Sequence, residues 1–373
     1  MIIPFLLPLS LAVAAMAAPG PAKQPSFTRY FVAAESYESV GVFDVNGDGK
    51  PDLVSGDFWY AGPTFRQRYL IGNQKRHDQY YDDFSTIPMD VNGDGRTDFI
   101  TGGWWGERLR WVENPADPKQ PWPAHEFAVT GNIETTRPWD VDGDGKPEIV
   151  PNNPGKPLKY FKLISPGQFK QTDVAPTQGH GLGFGDVNGD GRGDFIVSDG
   201  WLEAPANREG GPWTLHKEFS LGSASVPILV VDVNGDGRND LIVGQAHGYG
   251  LHWYEQQAPA QGQRQWLKHT IDDKNSQYHV MEWLDIDGDG KSELLTGKRY
   301  RAHNDNDPGS DDAVGIYLFH WDGKQFQKQT IAFGPVGTGK GTGIYLSVAD
   351  LRQNGRKDIV VAGKDGLVVF YQN

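Results

Sequence analysis

Residues 44–54 read DVNGDGKPDLV, and this stretch decides the fold. Oxygen-bearing side chains stand at its first, third, fifth and ninth positions, and glycines stand at its fourth and sixth. Carboxylates this close repel one another unless a cation lies between them. The spacing matches an oxygen cage for a hard cation, and we expect Ca²⁺, with the glycines letting the backbone wrap around it. A set of Asx-type turns is the alternative that needs no ion.

The same motif occurs seven times along the chain. It begins at Asp44, Asp90, Asp140, Asp186, Asp232 and Asp285, and a degenerate copy, DLRQNGRKDIV, begins at Asp350. Successive copies start 46, 50, 46, 46, 53 and 65 residues apart. That period is typical of one four-stranded propeller blade per repeat.

Each repeat has the same order of segments. An apolar segment (strand A) leads into the motif, a short apolar strand (B) follows it, and an aromatic strand (C) and a mixed strand (D) come next. The last repeat stops at strand C, whereas residues 26–34, SFTRYFVAA, precede the first motif as an unassigned strand D. The sequence therefore predicts an all-β, seven-bladed β-propeller, with calcium-binding loops between strands A and B. Residues 26–373 would form one domain, and its N-terminal strand would complete blade seven and close the ring.

Six copies of the motif supply complete ligand sets, so we expect about six structural Ca²⁺ ions. Repeat seven has Arg352 at the third position, where no oxygen is available, and we expect no calcium there. The predicted side-chain ligands are Asp44, Asn46, Asp48, Asp52, Asp90, Asn92, Asp94, Asp98, Asp140, Asp142, Asp144, Glu148, Asp186, Asn188, Asp190, Asp194, Asp232, Asn234, Asp236, Asp240, Asp285, Asp287, Asp289 and Glu293.

Composition limits the classes of partner. The formal net charge of −13 argues against nucleic acid and anionic membranes as partners. There is no cysteine, so disulfides cannot stabilise the fold, and bound ions would link strands A and B instead. Residues 1–17 predict a signal peptide with cleavage before Ala18, and hence a secreted or periplasmic protein with no membrane span in the mature chain. A membrane anchor is the alternative, but this apolar run is short.

The end of the propeller opposite the acidic loops is the expected site of function. The residue six positions before each motif should lie at the start of strand A there, and these residues are Glu38, Phe84, Glu134, His180, Val226, His279 and Ile344. His247 follows strand B of blade five. His180, His247 and His279 come from neighbouring blades, and three imidazoles with an open position suit Zn²⁺ or a similar transition metal. Alternatively, each histidine hydrogen-bonds separately to loop backbone.

Other residues at this end have predicted roles toward a substrate. Glu134 or Asp83 is the predicted base, and a fourth metal ligand is the alternative role for Glu134. The residues predicted to orient a sugar are Arg137, Trp105, Trp201 and Tyr81. Core packing is the alternative for the tryptophans. His303 lies in a loop and has no predicted place.

The repeated motif resembles that of the FG-GAP or VCBS repeat propellers, over nearly the whole chain after the signal peptide. This resemblance implies the propeller fold and calcium loops, but the family includes many functions. Residues 179–192 (GHGLGFGDVNGDGR), 200–206 (GWLEAPA) and 244–255 (GQAHGYGLHWYE) are also similar to the propeller domain of the aldos-2-ulose dehydratase family. That resemblance implies a metal ion in the cleft of the propeller and elimination of water from a keto-sugar.

Two functions are favoured by the sequence over a third, a bare scaffold within a larger assembly, which also stays open. The first is a secreted, metal-dependent carbohydrate lyase or dehydratase, which acts on a keto-sugar or oxidised glycoside by α-proton abstraction and β-elimination. The second is a non-catalytic, calcium-stabilised propeller that binds carbohydrate or protein, as lectins and adhesins do.

Overall fold

A computed structural model describes residues 24–208, 210–260 and 263–373. The predicted signal peptide lies outside these residues. The described chain is all-β, with thirty strands and one short 3₁₀ helix, Ala302–Asp305. Within it, no helix is long and apolar enough to cross a membrane.

The strands form seven four-stranded antiparallel sheets, one per motif, and one small hairpin. Strand β1 (Phe27–Ala33) belongs to the seventh sheet. The first sheet contains β2 (Gly41–Phe43), β3 (Asp52–Ser55), β4 (Phe58–Tyr60) and β5 (Arg68–Leu70). The hairpin between the first two sheets contains β6 (Arg76–His77) and β7 (Tyr80–Tyr81). The second sheet contains β8 (Ile87–Met89), β9 (Asp98–Gly102), β10 (Arg108–Val112) and β11 (Ala124–Val129).

The remaining blades have the same order of strands. The third contains β12 (Thr135–Trp139), β13 (Glu148–Asn152), β14 (Leu158–Ser165) and β15 (Gln168–Ala175). The fourth contains β16 (Leu182–Gly185), β17 (Asp194–Val197), β18 (Gly200–Glu203) and β19 (Thr214–His216). The fifth contains β20 (Leu229–Val231), β21 (Asp240–Gly244), β22 (Tyr249–Ala260) and β23 (Gln263–Ser276). The sixth contains β24 (Tyr278–Leu284), β25 (Glu293–Lys298), β26 (Val314–Trp321) and β27 (Phe326–Gly334).

The seventh blade is built from both ends of the described chain. It contains β28 (Leu346–Ala349), β29 (Asp358–Val361) and β30 (Leu367–Gln372), and β1 is its fourth strand. Strand β1 runs antiparallel to β30, with Phe27 opposite Gln372 and Tyr30 opposite Val369. This sheet therefore has four strands, as the other six have, although its motif lies at the end of the chain.

The core lies between neighbouring sheets. The second strand of every blade is buried at each position, because its short apolar run faces a sheet on both sides. Val54 and Phe99 share one hydrophobic cluster across blades one and two, and Val150 and Phe195 share another across blades three and four. Burying such side chains contributes roughly 1.5–3 kcal/mol each.

Each acidic motif forms the turn between the first and second strands of its blade. In the first repeat, Asp44 accepts hydrogen bonds from the N–H groups of Gly47 and Gly49, both at 2.8 Å. These glycines have φ of 73° and 80°, a conformation that favours glycine. The seven turns therefore lie at one end of the blades. The starts of the first strands and the connections after the second strands lie at the opposite end.

Candidate metal and substrate pocket

The three histidines predicted to bind a metal lie together at the end of the blades opposite the acidic turns. His180 precedes β16, His247 follows β21, and His279 is the second residue of β24. The centroid of the His180 ring is 4.5 Å from that of His247 and 6.4 Å from that of His279. The constant offset from the acidic motif therefore placed His180 and His279 at the same level of blades four and six, on either side of blade five.

A fourth histidine, His303, completes this cluster. Its ring centroid is 4.0 Å from that of His247 and 5.4 Å from that of His279. Two sets of possible ligand atoms lie within 4.8 Å of one another: His180, His247 and His303 in one, and Glu134, His279 and His303 in the other. Sequence reasoning missed His303 because it lies in the long connection between β25 and β26, which has no strand periodicity.

Two of these imidazoles have buried nitrogens with no hydrogen-bond partner. The Nδ1 atom of His180 lies 2.9 Å from the carbonyl oxygen of Ala224, and Nδ1 of His279 lies 3.2 Å from that of Gln277. Because a carbonyl only accepts, each Nδ1 carries a hydrogen. Nε2 of His279 therefore presents a lone pair when the ring is neutral, whereas Nε2 of His180 lies 3.5 Å from Oε1 of Glu134. Neither Nε2 has a hydrogen-bond partner in the described structure. Backbone orientation of one nitrogen with the other left free is how metal-binding histidines are held, so these residues fit a transition metal.

The charge states of the histidines favour ligation. Burial lowers the pKa of His279 well below its usual value, and it lowers the pKa of His303 to about 4, helped by the nearby Arg299 charge. Burial and the His180 ring also lower the pKa of His247. Burial opposes the charge of His180, but the Glu134 carboxylate outweighs this effect and raises its pKa. Three of the four rings are therefore neutral at neutral pH, as metal ligands must be.

A buried ionic network supports the pocket. Nε of Arg299 lies 2.8 Å from Oε1 of Glu38, and Nη1 of Arg299 lies 3.4 Å from Oε1 of Glu134. Lys364 adds a second cation, 3.3 Å from Oε2 of Glu38, and burial lowers the pKa of this lysine to about 8. Burial alone would raise the pKa of Glu134, but His180 and Arg299 lower it well below its usual range. Glu134 is therefore an ionised carboxylate, suited to ligation and weak as a base.

The histidine cluster opens into a pocket of about 400 Å³. One wall is polar and contains Glu134, His180, His247, Arg299 and His303. The aromatic wall consists of Tyr80, Phe84, Trp104 and Trp105. The Trp105 side chain stacks on His77 with ring centroids 4.7 Å apart, and Trp105 remains 38% exposed.

The structure places four other predicted site residues outside this pocket. Trp201 is wrong as a sugar-stacking residue, because it is 2% exposed and packs against His216 within its own sheet. Asp83 is wrong as a base in the pocket, because it is buried beneath it and accepts a 2.6 Å hydrogen bond from Thr101. Burial raises the pKa of Asp83 to about 7.

Arg137 and Tyr81 also have other contacts. Arg137 is buried over the ring of Tyr345 and donates a hydrogen bond to the carbonyl oxygen of Val226 at 3.1 Å. Tyr81 packs against Tyr37 with ring centroids 4.3 Å apart. Neither lines the pocket that contains the histidines.

Two segments meet across the mouth of the pocket. The β6–β7 hairpin contributes Gln79 and Tyr80, and the connection after β25 contributes Asn304. Gln79 donates to the side-chain oxygen of Asn304 at 2.9 Å, and the Asn304 N–H donates to the Tyr80 hydroxyl at 3.0 Å. His303 and Asn304 have φ of 50° and 54°. Non-glycine residues rarely adopt this conformation, and such strained backbone is concentrated at functional sites.

The acidic turns have the donor sets that a cation requires. In repeat three, oxygens of Asp140, Asp142 and Glu148 lie within 4.8 Å of one another, and Oε1 of Glu148 is buried with no hydrogen-bond partner. Repeat seven has a different contact at this position. Nη2 of Arg352 lies 3.0 Å from Oδ1 of Asp358, so a guanidinium contacts the carboxylate at the ninth position.

Comparisons with known proteins agree with this architecture. A family model for FG-GAP-like repeats matches residues 90–150, 140–197 and 232–296. No curated protein matches the chain. The crystal structure of the exotype rhamnogalacturonan lyase YesX is similar with a TM-score of 0.50 and 13% identity, covering 92% of this chain and 72% of that one.

Two further structures are similar in the same way. BBS1N, from a complex with ARL6DN, has a TM-score of 0.52 and 10% identity, covering 92% of this chain and 94% of that one. The extracellular domain of a putative one-component system from B. thetaiotaomicron has a TM-score of 0.53 and 14% identity, covering 94% of this chain and 40% of that one. At these identities the similarity shows the fold alone.

Proposed function

The chain carries FG-GAP-like repeats folded as a seven-bladed propeller, and from this premise we propose that it is a metal-dependent carbohydrate lyase or dehydratase. Its reaction would take place in the histidine pocket, on a keto-sugar or an oxidised glycoside. The N-terminal sequence supports a secreted or periplasmic location. The observation that carries the proposal is the buried, unpartnered Nε2 atom of His279, grouped with Glu134 and His303 beside an open pocket with an aromatic wall.

Glu134, His279 and His303 are the proposed metal ligands. Their ligand atoms converge within 4.8 Å, and this set of two imidazoles and one carboxylate leaves positions open for a substrate. When bound, a divalent metal such as Zn²⁺ supplies Lewis-acid polarisation of the substrate carbonyl, which acidifies the adjacent C–H bond. His180 flanks this set through Glu134, with its Nε2 3.5 Å from Oε1 of that carboxylate.

His247 is the proposed base. Nδ1 of His247 lies 3.2 Å from Oδ2 of Asp307, which holds the hydrogen on Nδ1 and leaves the lone pair on Nε2. Its side chain is 31% exposed, and its lowered pKa keeps the ring neutral. Nε2 would take the α-proton, the C–H electron pair would form the new C=C bond, and the β-oxygen would leave with its bonding pair. His247 would then return the proton to that oxygen, releasing water or an alcohol.

The aromatic wall is the proposed sugar-binding surface. An indole face that is partly exposed, as that of Trp105 is, stacks well on the apolar face of a pyranose ring. The similarity of residues 179–192 to the aldos-2-ulose dehydratase family supports a keto-sugar as substrate.

The test separates metal binding from proton removal. Zn²⁺ content after dialysis and formation of an unsaturated product, detected by ultraviolet absorbance, would be measured on a panel of keto-sugars and oxidised glycosides. We expect His303→Ala and His279→Ala to lose a metal ion and activity, and His247→Ala to keep the metal and lose at least about 100-fold in kcat. His269→Ala, an outer-strand residue paired with Glu255, is the control and should change neither. A wild-type protein that holds no metal in the pocket would refute the proposal.

We also propose that the six complete acidic turns bind Ca²⁺ as structural ions. Their oxygen donors suit a hard cation, and each turn joins the first two strands of its blade, so binding would stabilise the folded state. Because the ions would lie at the end away from the pocket, they would take no part in the reaction.

A second function is favoured by one observation. The aromatic wall with its exposed Trp105 would bind a sugar whether or not a metal is present. A binding propeller without catalysis would therefore retain affinity for sugar in His180→Ala and His279→Ala, measured by calorimetry. Loss of binding in both variants would contradict this second function.

A further inference from the structure

The acidic turn of blade six has a neighbour that the other turns lack. In each blade, the residue at motif position ten pairs with a residue of the third strand. The position compared between blades is the residue directly after that partner. In blade six Phe319 pairs with Leu294, so this residue is His320, and in blade three Phe161 pairs with Ile149, so it is Lys162. In blades two, four and five the same position is glutamate: Glu113, Glu203 and Glu255.

The equivalent lysine of blade three shows that this position reaches the acidic turn. Nζ of Lys162 contacts Oδ2 of Asp142 and lies 2.8 Å from Oδ2 of Asp144. A side chain at this position therefore delivers its terminal group to the carboxylates at motif positions three and five. In blade three that group is itself a cation.

Hydrogen bonds fix the orientation of the His320 ring. The amide nitrogen of Gln329 donates to the carbonyl oxygen of Pro25, which leaves Oε1 of Gln329 facing His320. Nε2 of His320 lies 3.1 Å from that oxygen, so Nε2 carries the hydrogen and Nδ1 presents its lone pair. Nδ1 points at Oε1 of Glu293, 3.7 Å away. Nδ1 and a carboxylate oxygen therefore face each other, an arrangement that calls for a cation between them, which is either a metal ion or the proton of a charged imidazole.

Glu293 and Asp287 complete the donor set. Oε2 of Glu293 accepts the N–H of Ile286 at 2.9 Å, which leaves Oε1 for the cation. Donor atoms of Asp287, Glu293 and His320 all lie within 4.8 Å of one another. The three residues line a surface pocket of about 640 Å³, so ions reach them from solvent.

We propose that Asp287, Glu293 and His320 form a second transition-metal site, at the acidic end of blade six. One imidazole nitrogen and two carboxylates suit Zn²⁺, whereas the all-oxygen sets of the other turns suit Ca²⁺. Gln329 orients the imidazole, as residues behind metal-binding histidines commonly do. Asp287 and Glu293 are also expected calcium ligands, so Zn²⁺ and Ca²⁺ compete for this turn. The site is independent of the histidine pocket, which lies at the other end of the blades.

The experiment uses zinc-edge anomalous scattering from crystals of the whole chain grown with Zn²⁺ and Ca²⁺, together with metal content by mass spectrometry. We expect an anomalous peak among Asp287, Glu293 and His320. His320→Gln should lose this peak and about one zinc per chain, and any peak in the histidine pocket should persist. Gln329→Ala should weaken zinc binding at the turn by about 10–100-fold, because the ring is no longer oriented.

His320→Lys keeps the variant testable if the glutamine variant folds poorly. A lysine there reproduces the arrangement of blade three, so this variant should fold, contact Asp287 internally and bind no zinc at the turn. His269→Gln, on the outer strand of blade five, is the matched control and should retain the peak. If the wild-type chain shows no zinc-edge peak at the turn, or if His320→Gln retains it, His320 is only an ion-pair partner of Glu293 and the proposal is wrong.

Discussion

The Arg299 guanidinium is the centre of the buried ionic network at the wall of the pocket. It lies between the carboxylates of Glu38 and Glu134 and is itself 2% exposed. Removal of the arginine would leave Glu38 with Lys364 as its remaining cation and Glu134 with His180, so two buried negative charges would lose a partner. The network thus holds Glu134 in position, and removal of any one charged side chain from it would destabilise the folded protein.

Arg299→Gln should destabilise the protein by about 3–5 kcal/mol, because uncompensated buried charge is expensive. The measurement is chemical denaturation followed by fluorescence. Arg301→Gln is the control: this arginine is half exposed and pairs with Asp305, so its loss should cost under about 1 kcal/mol. Similar losses in the two variants would mean that water reaches the carboxylates.

Asp83 should make stability depend on pH. Its folded-state pKa is raised to about 7 by burial, whereas the unfolded value is near 3.9, so the folded state keeps a proton that the unfolded state releases. The free energy of unfolding therefore falls as pH rises from about 4 to 7.

Asp83→Asn imitates the protonated acid and should remove this loss. Relative to wild type, the variant should gain up to about 4 kcal/mol between pH 4 and pH 8, as measured by denaturation at each pH. Asp273→Asn, at an exposed carboxyl, should show no such gain. A constant difference between Asp83→Asn and wild type would show that Asp83 is ionised throughout.

Among the structural elements, the acidic turns are those whose loss of a metal ion should lower the stability of the protein. Asp94→Ala in repeat two removes the ligand at position five and should lower the bound calcium by about one ion per chain. Where calcium is present at 100 times its Kd, the loss of one site corresponds to about 2.7 kcal/mol of stability. Calcium content after desalting, and thermal unfolding with and without chelator, measure the two effects.

Asn354→Ala is the matched variant at position five of repeat seven. Arg352 contacts the carboxylate of Asp358 there, so no ion should be lost. Equal calcium content in the wild type and in Asp94→Ala would contradict the calcium assignment.

The first strands of the blades could be aligned from the sequence, whereas the connections between strands could not, and the reason is physical. Strand A is extended and ends at the acidic turn in every blade, so counting six residues back gave comparable positions for Glu38, Glu134, His180 and His279. The connections between strands have no constant offset from the acidic motif. His303 lies in the connection of residues 299–313, which contains several left-handed residues and brings His303 to the pocket, and no sequence period marks that path.

The wrong predictions for Trp201 and Asp83 also have local causes. The position of Trp201 soon after strand B predicts a loop residue. The turn between β17 and β18 is short, however, and Trp201 pairs with Ile196 inside the sheet. Asp83 follows the β6–β7 hairpin, an insertion that the other blades lack between their sheets, and its side chain turns inward toward Thr101.

For the molecule as a whole, pairing of β1 with β30 is what completes the seventh sheet. A chain that starts at residue 35 should be less stable than one that starts at residue 24 by roughly 2–4 kcal/mol, because Ala33, Tyr30 and Val32 no longer pack on that sheet. It should also self-associate, since β30 becomes an open edge. Denaturation and sedimentation velocity measure both outcomes.

Phe31→Ser in the longer chain is the control. Phe31 is 52% exposed, so this change should stay within roughly 0.5 kcal/mol of wild type. If the shorter chain proves as stable and monomeric as the longer one, β1 contributes little to the ring.

The same pairing has a consequence for the order in which the molecule assembles during synthesis. The partners Phe27 and Gln372 are separated by almost the entire described chain. At roughly 5–20 residues per second, translation takes on the order of tens of seconds to supply β30 after β1 has been made. During that interval β1 has no partner strand. The edge of β30 that β1 pairs with is the same in every copy of the chain, so β1 of one copy can pair with β30 of another. Crowded synthesis or refolding at high concentration therefore favours dimers that have exchanged this strand, whereas dilution favours rings that each close on themselves.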